Sequence, residues 1–384
     1  MMKRNWILRL IWMMCLSSFP LTQLSAKTEE YAQEIKNIEL TDPVSPDKPK
    51  RKHDLIVYKD SEGIPSGYAM NLINEVCLDG LCKLVEVTMY WDAMGFYERL
   101  EYPEGKPLTK LEHEPFVTED YEKLDVILKD KNSILNNHTL GYLAKEPDNE
   151  GETVDEDVDG ESHATPAEVK KAVVQDAAWT TWVLWKYANT EIVPILRNTT
   201  ELAITPKYIE QMLDSDDWRK IEFVMNYLIE LDATPSQYKN KVLQIITTAK
   251  MDQIELALAC LEEVINDKNK FYKELIGVLS SLENYSAALV IEQMASDENL
   301  DHQVVDYLTN YLYELSFYPI QLSFRLIEQR DFFSKDVEKN VTKLLEHEDF
   351  FTARRASEFL AMHELSPQTE KKLQSFRDKF ADRL

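Results

Sequence analysis

Cys77-Leu78-Asp79-Gly80-Leu81-Cys82-Lys83-Leu84-Val85-Glu86-Val87-Thr88-Met89-Tyr90 is the stretch that decides the fold of the first half of this 384-residue chain. From Leu84 to Tyr90 apolar and polar residues alternate. Val85, Val87 and Met89 fall on one side and Glu86 and Thr88 on the other, the period-two pattern of a half-buried strand. Asp79-Gly80 is a preferred pair for a two-residue type I′ hairpin turn, whose central residues both need φ > 0. Leu78 and Leu81 then flank the turn, and Cys77 lies opposite Cys82 in a non-hydrogen-bonded pair, where side chains come closest. The partner strand is predicted at Asn71–Val76, and Leu55–Tyr58 is placed to add a third.

Downstream, Gly95 and Pro103-Glu104-Gly105 predict a turn-rich segment after Trp91. A helix is predicted over Glu119–Lys129, with Tyr121, Leu124 and Leu128 on one face. The stretch from Asp148 to Glu161 is acidic. It runs into Asp159-Gly160-Glu161-Ser162-His163-Ala164-Thr165 and then into a helix-like run from Pro166 to Ala188. Thr165 is the expected N-cap, Pro166 the first helical residue and Glu168 the capping-box residue. A helix start of this kind presents free N–H groups and a positive dipole end, which suits a phosphate. Trp179, Trp182 and Trp185 follow at near-helical spacing. They predict a core-packed stripe, with tuning of a neighbouring cofactor ring as the alternative.

The N-terminus reads as a secretory signal peptide: a positive start at Met1–Arg4, an apolar core at Trp6–Leu16, and a small-residue cleavage site at Leu24-Ser25-Ala26. Cleavage after Ala26 removes Lys3, Arg4 and Arg9 and no acidic residue, so the formal charge goes from −25 to −28. A field of that sign repels phosphate backbones and anionic lipid surfaces and excludes nucleic acid as a partner class. Export to an oxidising compartment predicts a Cys77–Cys82 disulfide. Cys260, in a later apolar helix, is expected to be a buried small hydrophobe. Residues 27–52, ending in Lys48-Pro49-Lys50-Arg51-Lys52, read as a solvated tether; contact of this basic run with an acidic partner or with the chain's own acidic face is the alternative.

The second half repeats. Ile221, Ile254, Tyr285, Tyr318 and Phe350 stand 33, 31, 33 and 32 residues apart. Three residues after each come Val224, Ala257, Ala288, Gln321 and Ala353, mostly small. Between them lie further helices at Tyr238–Ala249, Phe271–Leu282, Val304–Leu315 and Val337–Leu345. Helix pairs at such a period predict an α-solenoid, whose long concave surface suits a protein partner. The repeats resemble the HEAT type.

Two other constellations offer metal or proton chemistry, an acidic loop and a histidine between carboxylates that could serve as a base or a metal ligand. Asp155-x-Asp157-x-Asp159-Gly160 matches the start of a calcium loop. Its eighth position is Ser162 and its twelfth Pro166, so a solvated acidic loop is the better reading. In Glu112-His113-Glu114 the histidine is expected to be buried and hydrogen-bonded, because neighbours in a strand face opposite ways. His-Glu-x-x-His, Gly-x-Ser-x-Gly and phosphate-loop signatures do not occur, which leaves hydrolase and nucleotidase readings without support.

The Asp159–Thr165 stretch resembles the flavin-attachment signature of FMN-binding domains, Asp-x-x-Ser/Thr-Gly-Ala-Thr/Ser. The resemblance spreads over roughly residues 55–195, through Val76–Val87, Tyr90-Trp91-Asp92, Leu108–Phe116, Asp120-Tyr121 and Asp176–Ala188. It looks like an exported bacterial group related to that family. The resemblance implies FMN carried on the Thr165 hydroxyl through a phosphodiester, with Asp159, Ser162 and Ala164 around it. His163 stands where the family has glycine, and its imidazole would crowd or stack on a bound ring.

The expected organisation is a signal peptide (1–26), a linker (27–52), an FMN-binding-like α+β domain of antiparallel strands plus helices (53–198) and a HEAT-like all-α solenoid (199–384). The expected function is an exported, periplasmic or secreted protein-interaction module that is not a self-sufficient enzyme. The alternative is a flavin-carrying electron-transfer protein with FMN on Thr165.

Overall fold

The computed structural model describes residues 32–74, 84–138, 170–231 and 234–383. The alternating run becomes strand β4 (Val85–Asp92), in which Val85, Val87, Met89 and Trp91 are buried and the residues between them are half exposed. It pairs antiparallel with β3 (Pro65–Asn74), from Gly67↔Asp92 to Asn74↔Val85. β2 (Arg51–Lys59) pairs with β3 on its far side, and β1 (Ala32–Leu40) and β5 (Tyr97–Glu101) complete a five-stranded sheet in the order β1-β2-β3-β4-β5. All four pairings are antiparallel.

Two of the connections are built alike. In Asp60-Ser61-Glu62-Gly63-Ile64 and Asp92-Ala93-Met94-Gly95-Phe96, the aspartate Oδ1 accepts from the backbone N–H groups two and four residues on. Glycine takes the left-handed position in each, with φ of 80° at Gly63 and 82° at Gly95. A side chain at that φ is strained, so the glycine belongs to the turn geometry. Each turn sits beside a register shift, at Tyr58/Lys59 and at Tyr90/Trp91, as a bulged hairpin requires.

The segment expected as a tether is, over residues 32–40, the edge strand β1. Burial alternates along it, with Ile38 and Leu40 buried and Ile35 exposed, but the inner positions Glu34 and Lys36 are charged, so the sequence lacks the apolar alternation that marks β4. The basic run also contacts the chain's own acids. Lys50 pairs with Glu191 and Arg51 with Asp42.

Helices cover the face of the sheet that carries Tyr68, Met70 and Trp91. They are α1 (Thr118–Lys129), α2 (Ala178–Asn189) and α3 (Ile192–Glu201). Leu124 and Leu128 of α1 are buried, as their spacing predicts. The Trp91 indole N–H donates to the Ala188 carbonyl at 2.9 Å, and the Tyr68 hydroxyl donates to the Leu196 carbonyl at 3.0 Å. The helix expected without a break from Pro166 to Ala188 is interrupted over residues 173–177. Asp176 there takes a left-handed φ of 58° and its carbonyl accepts from Leu111, while the Thr181 hydroxyl caps Val174 N–H. The boundary expected after residue 198 falls inside α3.

The remaining chain is helical: α4 (Pro206–Leu213), α5 (Trp218–Ile229), α6 (Lys239–Thr248), α7 (Ile254–Ile265), α8 (Lys268–Ile276), α9 (Asn284–Ser296), α10 (His302–Thr309), α11 (Phe317–Arg330), α12 (Lys335–Lys343), α13 (Phe350–Leu360) and α14 (Pro367–Lys379). Alternate helices touch. α5 packs on α7, α9 on α11 and α11 on α13, while α8 packs on α10, α10 on α12 and α12 on α14. Before α9, α11 and α13 the chain tightens into 3-10 turns at Leu279–Ser281, Leu312–Glu314 and Leu344–Glu346, 33 and 32 residues apart. The helices expected over Phe271–Leu282, Val304–Leu315 and Val337–Leu345 each end in one of these turns. Tyr285 and Tyr318, two of the repeat anchors, are exposed, whereas Ala257, Ala288 and Ala353 three residues after their anchors are buried. Ile221 and Ile254, the first two anchors, are themselves buried, so the repeat falls near each helix start while its exposure changes from buried at Ile221 and Ile254 to exposed at Tyr285 and Tyr318.

A small apolar cluster joins sheet to helices: Ile64 and Met94 from the two glycine turns meet Tyr208 of α4 and Phe223 of α5. Arg219 of α5 lies 5.5 Å from the Phe96 ring centre, and Lys207 pairs with Glu62. Among the described residues, no helix is long and apolar enough to cross a membrane.

Candidate functional site

The residues singled out by motif, Asp159, Ser162, His163, Ala164 and Thr165, lie outside the described residues, as do Cys77, Cys82, the acidic Asp155–Asp159 loop and the leader. The described residues form a site of their own. It is a cleft of about 280 Å³ between the end of β1 and the C-terminal half of α2, with Leu40, Pro43, Pro46, Trp182, Tyr187 and Ile192 among its walls.

Trp182 reaches this cleft because α2 turns its tryptophans inward. Its indole N–H donates to the His138 carbonyl at 2.9 Å, and that of Trp185 donates to the Asp130 carbonyl at 2.9 Å. Trp185 is wholly buried, Trp182 nearly so, and Trp179 is half-buried against the same core. The stripe is core packing, with the N–H groups of Trp182 and Trp185 satisfied. It also fastens residues 130–138 to the helix, since the Lys186 ammonium donates to Asn136 O at 2.8 Å. Burial lowers the pKa of Lys186.

Beneath the cleft lies a buried polar cluster. Asp42 is 3% exposed and accepts from Arg51 Nη2 at 2.7 Å and from Val44 N–H at 3.0 Å. Arg51 Nη1 donates to Asn74 Oδ1 at 2.6 Å, and Asn74 Nδ2 donates to Asp42 Oδ1 at 3.3 Å and to the Tyr187 hydroxyl at 3.4 Å. Burial, reinforced by Asp42, pushes the Tyr187 phenol well above its ordinary range. His53 packs edge-on to Tyr187, ring centres 6.0 Å apart, and its Nε2 is buried without a hydrogen-bond partner. Burial first, then Arg51, holds His53 below its ordinary pKa, so it is neutral near pH 7. At the rim, burial raises Glu191, but Lys50 and the Thr41 N–H, which donates at 2.6 Å, outweigh it and leave the carboxyl below its ordinary range.

This arrangement fixes a shape more than it moves protons. The Asp42 carboxylate is consumed by Arg51, Asn74 and the Val44 backbone, and the Tyr187 phenol stays protonated. What the cleft offers a ligand is an apolar and aromatic wall with Lys186 and Thr41 at its edge. Among the described residues no group of three or more His, Cys, Asp or Glu stands close enough to hold a metal ion.

Sequence reasoning missed Asp42, Asn74 and Tyr187, and placed His113 differently. His113 is exposed, in a 3-10 turn where Glu112 and His113 both have positive φ, of 58° and 64°. The strand geometry that would have turned it inward is absent there. The one signal for the polar cluster was the basic run at Lys48–Lys52, two of whose members hold Asp42 and Glu191. Cys260 is wholly buried, and burial raises its thiol to about 12, so it is protonated and inert, as an apolar helix position predicts. Comparison with known proteins finds no matching family model, no matching curated protein and no matching solved structure.

Proposed function

We propose that this chain is an exported protein-interaction module, in which an FMN-binding-like sheet domain carries an α-solenoid that docks a protein partner. The observation that supports this reading is the recurrence of 3-10 turn and helix start at Leu279, Leu312 and Leu344, with α9, α11 and α13 in contact in one row and α8, α10, α12 and α14 in another. Stacked pairs of this kind bury their faces only against neighbours and leave long edges free for another protein. The Met1–Ala26 leader pattern supports periplasmic or secreted placement, and a net charge of −25 disfavours nucleic acid. Photo-crosslinking residues placed one at a time on exposed helix positions of residues 218–379, in the native cell, test the reading. A recurrent protein partner crosslinked from several of these positions is expected. No crosslink from any of them would sink it.

A flavin-carrying electron-transfer role is the second reading. It is favoured by the cleft wall of Trp182 and Tyr187 beside His138, the last described residue before the segment that holds Asp159 and Ser162–Thr165. An aromatic, apolar wall suits a planar ring, and Lys186 at its edge suits an anion. A bound flavin would supply one- or two-electron redox chemistry; Thr165 would carry it and Trp182 and Tyr187 would pack it. Purification from a host that also expresses a flavin transferase separates the readings. Yellow protein whose colour survives denaturation, and is lost in Thr165→Ala, would establish the second; colourless protein would remove it.

A further inference from the structure

We propose that the edge formed by the starts of α9, α11 and α13 is the docking site, and that it takes an arginine-rich segment of a partner protein. This rests on the interaction reading above and names the surface and the partner chemistry. The three helix starts are neighbours. The Ser316 hydroxyl before α11 bonds Asn284 Oδ1 at the start of α9 at 2.5 Å, and Tyr313 before α11 stacks edge-on with His347 before α13, ring centres 5.0 Å apart.

Along this edge the chain exposes aromatic side chains that its core does not need. Tyr285, Tyr313, Phe317, Tyr318 and Phe351 are 47%, 47%, 38%, 52% and 65% exposed. Each helix start carries one or two, at the repeat interval, while the residues that follow turn into the core. Scattered exposed aromatics need no explanation, but a row of them recurring at one place in successive repeats marks a contact surface. Carboxylates are interleaved with the rings: Glu283, Glu314 and Glu348 are all exposed, one before each start.

Alternating rings and carboxylates recognise a cation with a flat face. A guanidinium stacks on an aromatic ring and bonds a carboxylate in the same pose, which an ammonium does less well. A guanidinium–ring contact already stands beside this row. The Arg383 guanidinium lies 3.8 Å from the centre of the Phe350 ring, next to exposed Phe351. The chain's net charge of −25 would draw a basic segment towards this edge before contact.

The test uses the full chain and a short labelled arginine–serine repeat peptide, followed by fluorescence anisotropy across a salt series. Lysine–serine and glutamate–serine peptides are the comparisons. The arginine peptide is expected to bind, the lysine peptide more weakly and the glutamate peptide not at all. Tyr285→Ser/Tyr318→Ser/Phe351→Ser should weaken arginine-peptide binding by about tenfold or more. Glu283→Gln/Glu314→Gln/Glu348→Gln should weaken it and flatten its salt dependence. Glu104→Gln/Glu119→Gln/Glu122→Gln, exposed acids on the sheet domain, should leave it unchanged. The single variant Tyr318→Ser should move the same way as the triple, which guards against a folding defect. Equal loss from the distant and the edge carboxylates, or full binding by the aromatic variants, overturns the proposal. Crosslinks confined to other helix positions would also overturn it while leaving the docking reading intact.

Discussion

Arg51 and Asp42 form a 2.7 Å ion pair in which the carboxylate side chain is 4% exposed and the guanidinium side chain 40%. The asymmetry sets the outcome of mutation. Removing Arg51 takes the charged partner from a buried carboxylate and leaves Asn74 Oδ1 without its donor, while Asn74 Nδ2 keeps Asp42 and Tyr187. Arg51→Met should cost about 3 kcal/mol, the range for breaking such a pair, with Asp42→Leu added in the same chain recovering part of the loss. Urea unfolding reads it as a lower midpoint at unchanged slope. An Arg51→Met protein as stable as the parent would show that the cluster does not hold β1's end to β2.

The two glycine turns make a matched pair of tests. At Gly63 a Cβ would meet nothing within 4 Å, so Gly63→Ala isolates the strain of a positive φ, about 1–2 kcal/mol. At Gly95 a Cβ would come within 3.3 Å of Val193 Cγ1 and of the Val193 carbonyl oxygen in α3. Gly95→Ala should therefore lose clearly more than Gly63→Ala, because backbone of α3 must shift as well. Equal losses would mean that α3 does not press on this turn.

Acid should destabilise the protein in two stages. His53 and His363 are both held below their ordinary value of 6.5, chiefly by burial, and His363 also stacks on Phe333 with ring centres 3.9 Å apart. With folded pKa values depressed, the unfolded chain takes up protons first, so stability falls as pH drops below about 6.5. The second stage begins below about 3.8, the ordinary aspartate value, because Asp349 at the start of α13 is held lower still and its contribution is lost as pH falls through that depressed range. Its pKa is lowered first by the Thr352 hydroxyl and then by the Thr352 and Phe351 N–H groups. Melting temperature measured across pH should fall from about pH 7 to pH 5 in the parent and stay nearly level there in His53→Gln/His363→Gln. A parent curve already level over that window would remove the first stage.

What could be read from the sequence was whatever local periodicity encodes. β4, α1, the tryptophan stripe and the burial of Cys260 all follow from spacing alone. β5 did not, because in Tyr97–Glu101 only Tyr97 is buried and three of the other four residues, Glu98, Arg99 and Glu101, are charged and exposed. The ends of α8, α10 and α12 did not, because 3-10 turns keep helical composition while changing hydrogen-bond partners. The polar cluster had no local signature. Asn74 meets Asp42 and Tyr187 from 32 and 113 positions away, and only the pairing of strands and the packing of α2 bring them together. His113 was misplaced for a related reason, since its orientation depends on two positive φ values in succession.

β3 and β4 flank the stretch of sequence that holds Cys77 and Cys82. The ladder is unbroken from Gly67↔Asp92 to Asn74↔Val85; Cys77 and Cys82 lie outside the described residues, and the sequence expectation for them is a pair of opposed cysteines with Asp79-Gly80 as the two-residue turn. That is the turn its sequence favours, and cross-strand sulfurs in a non-hydrogen-bonded pair are near bonding distance. Protein exported to an oxidising compartment should carry the Cys77–Cys82 disulfide, and the same chain kept reduced should not. Alkylation under denaturing conditions without reductant, followed by mass analysis, should then label Cys260 and leave Cys77 and Cys82 unlabelled. Because the closed loop is short, Cys77→Ser/Cys82→Ser should cost little stability, about 1–2 kcal/mol. Full labelling of both cysteines in exported protein would mean that the ladder slips or ends before it reaches them.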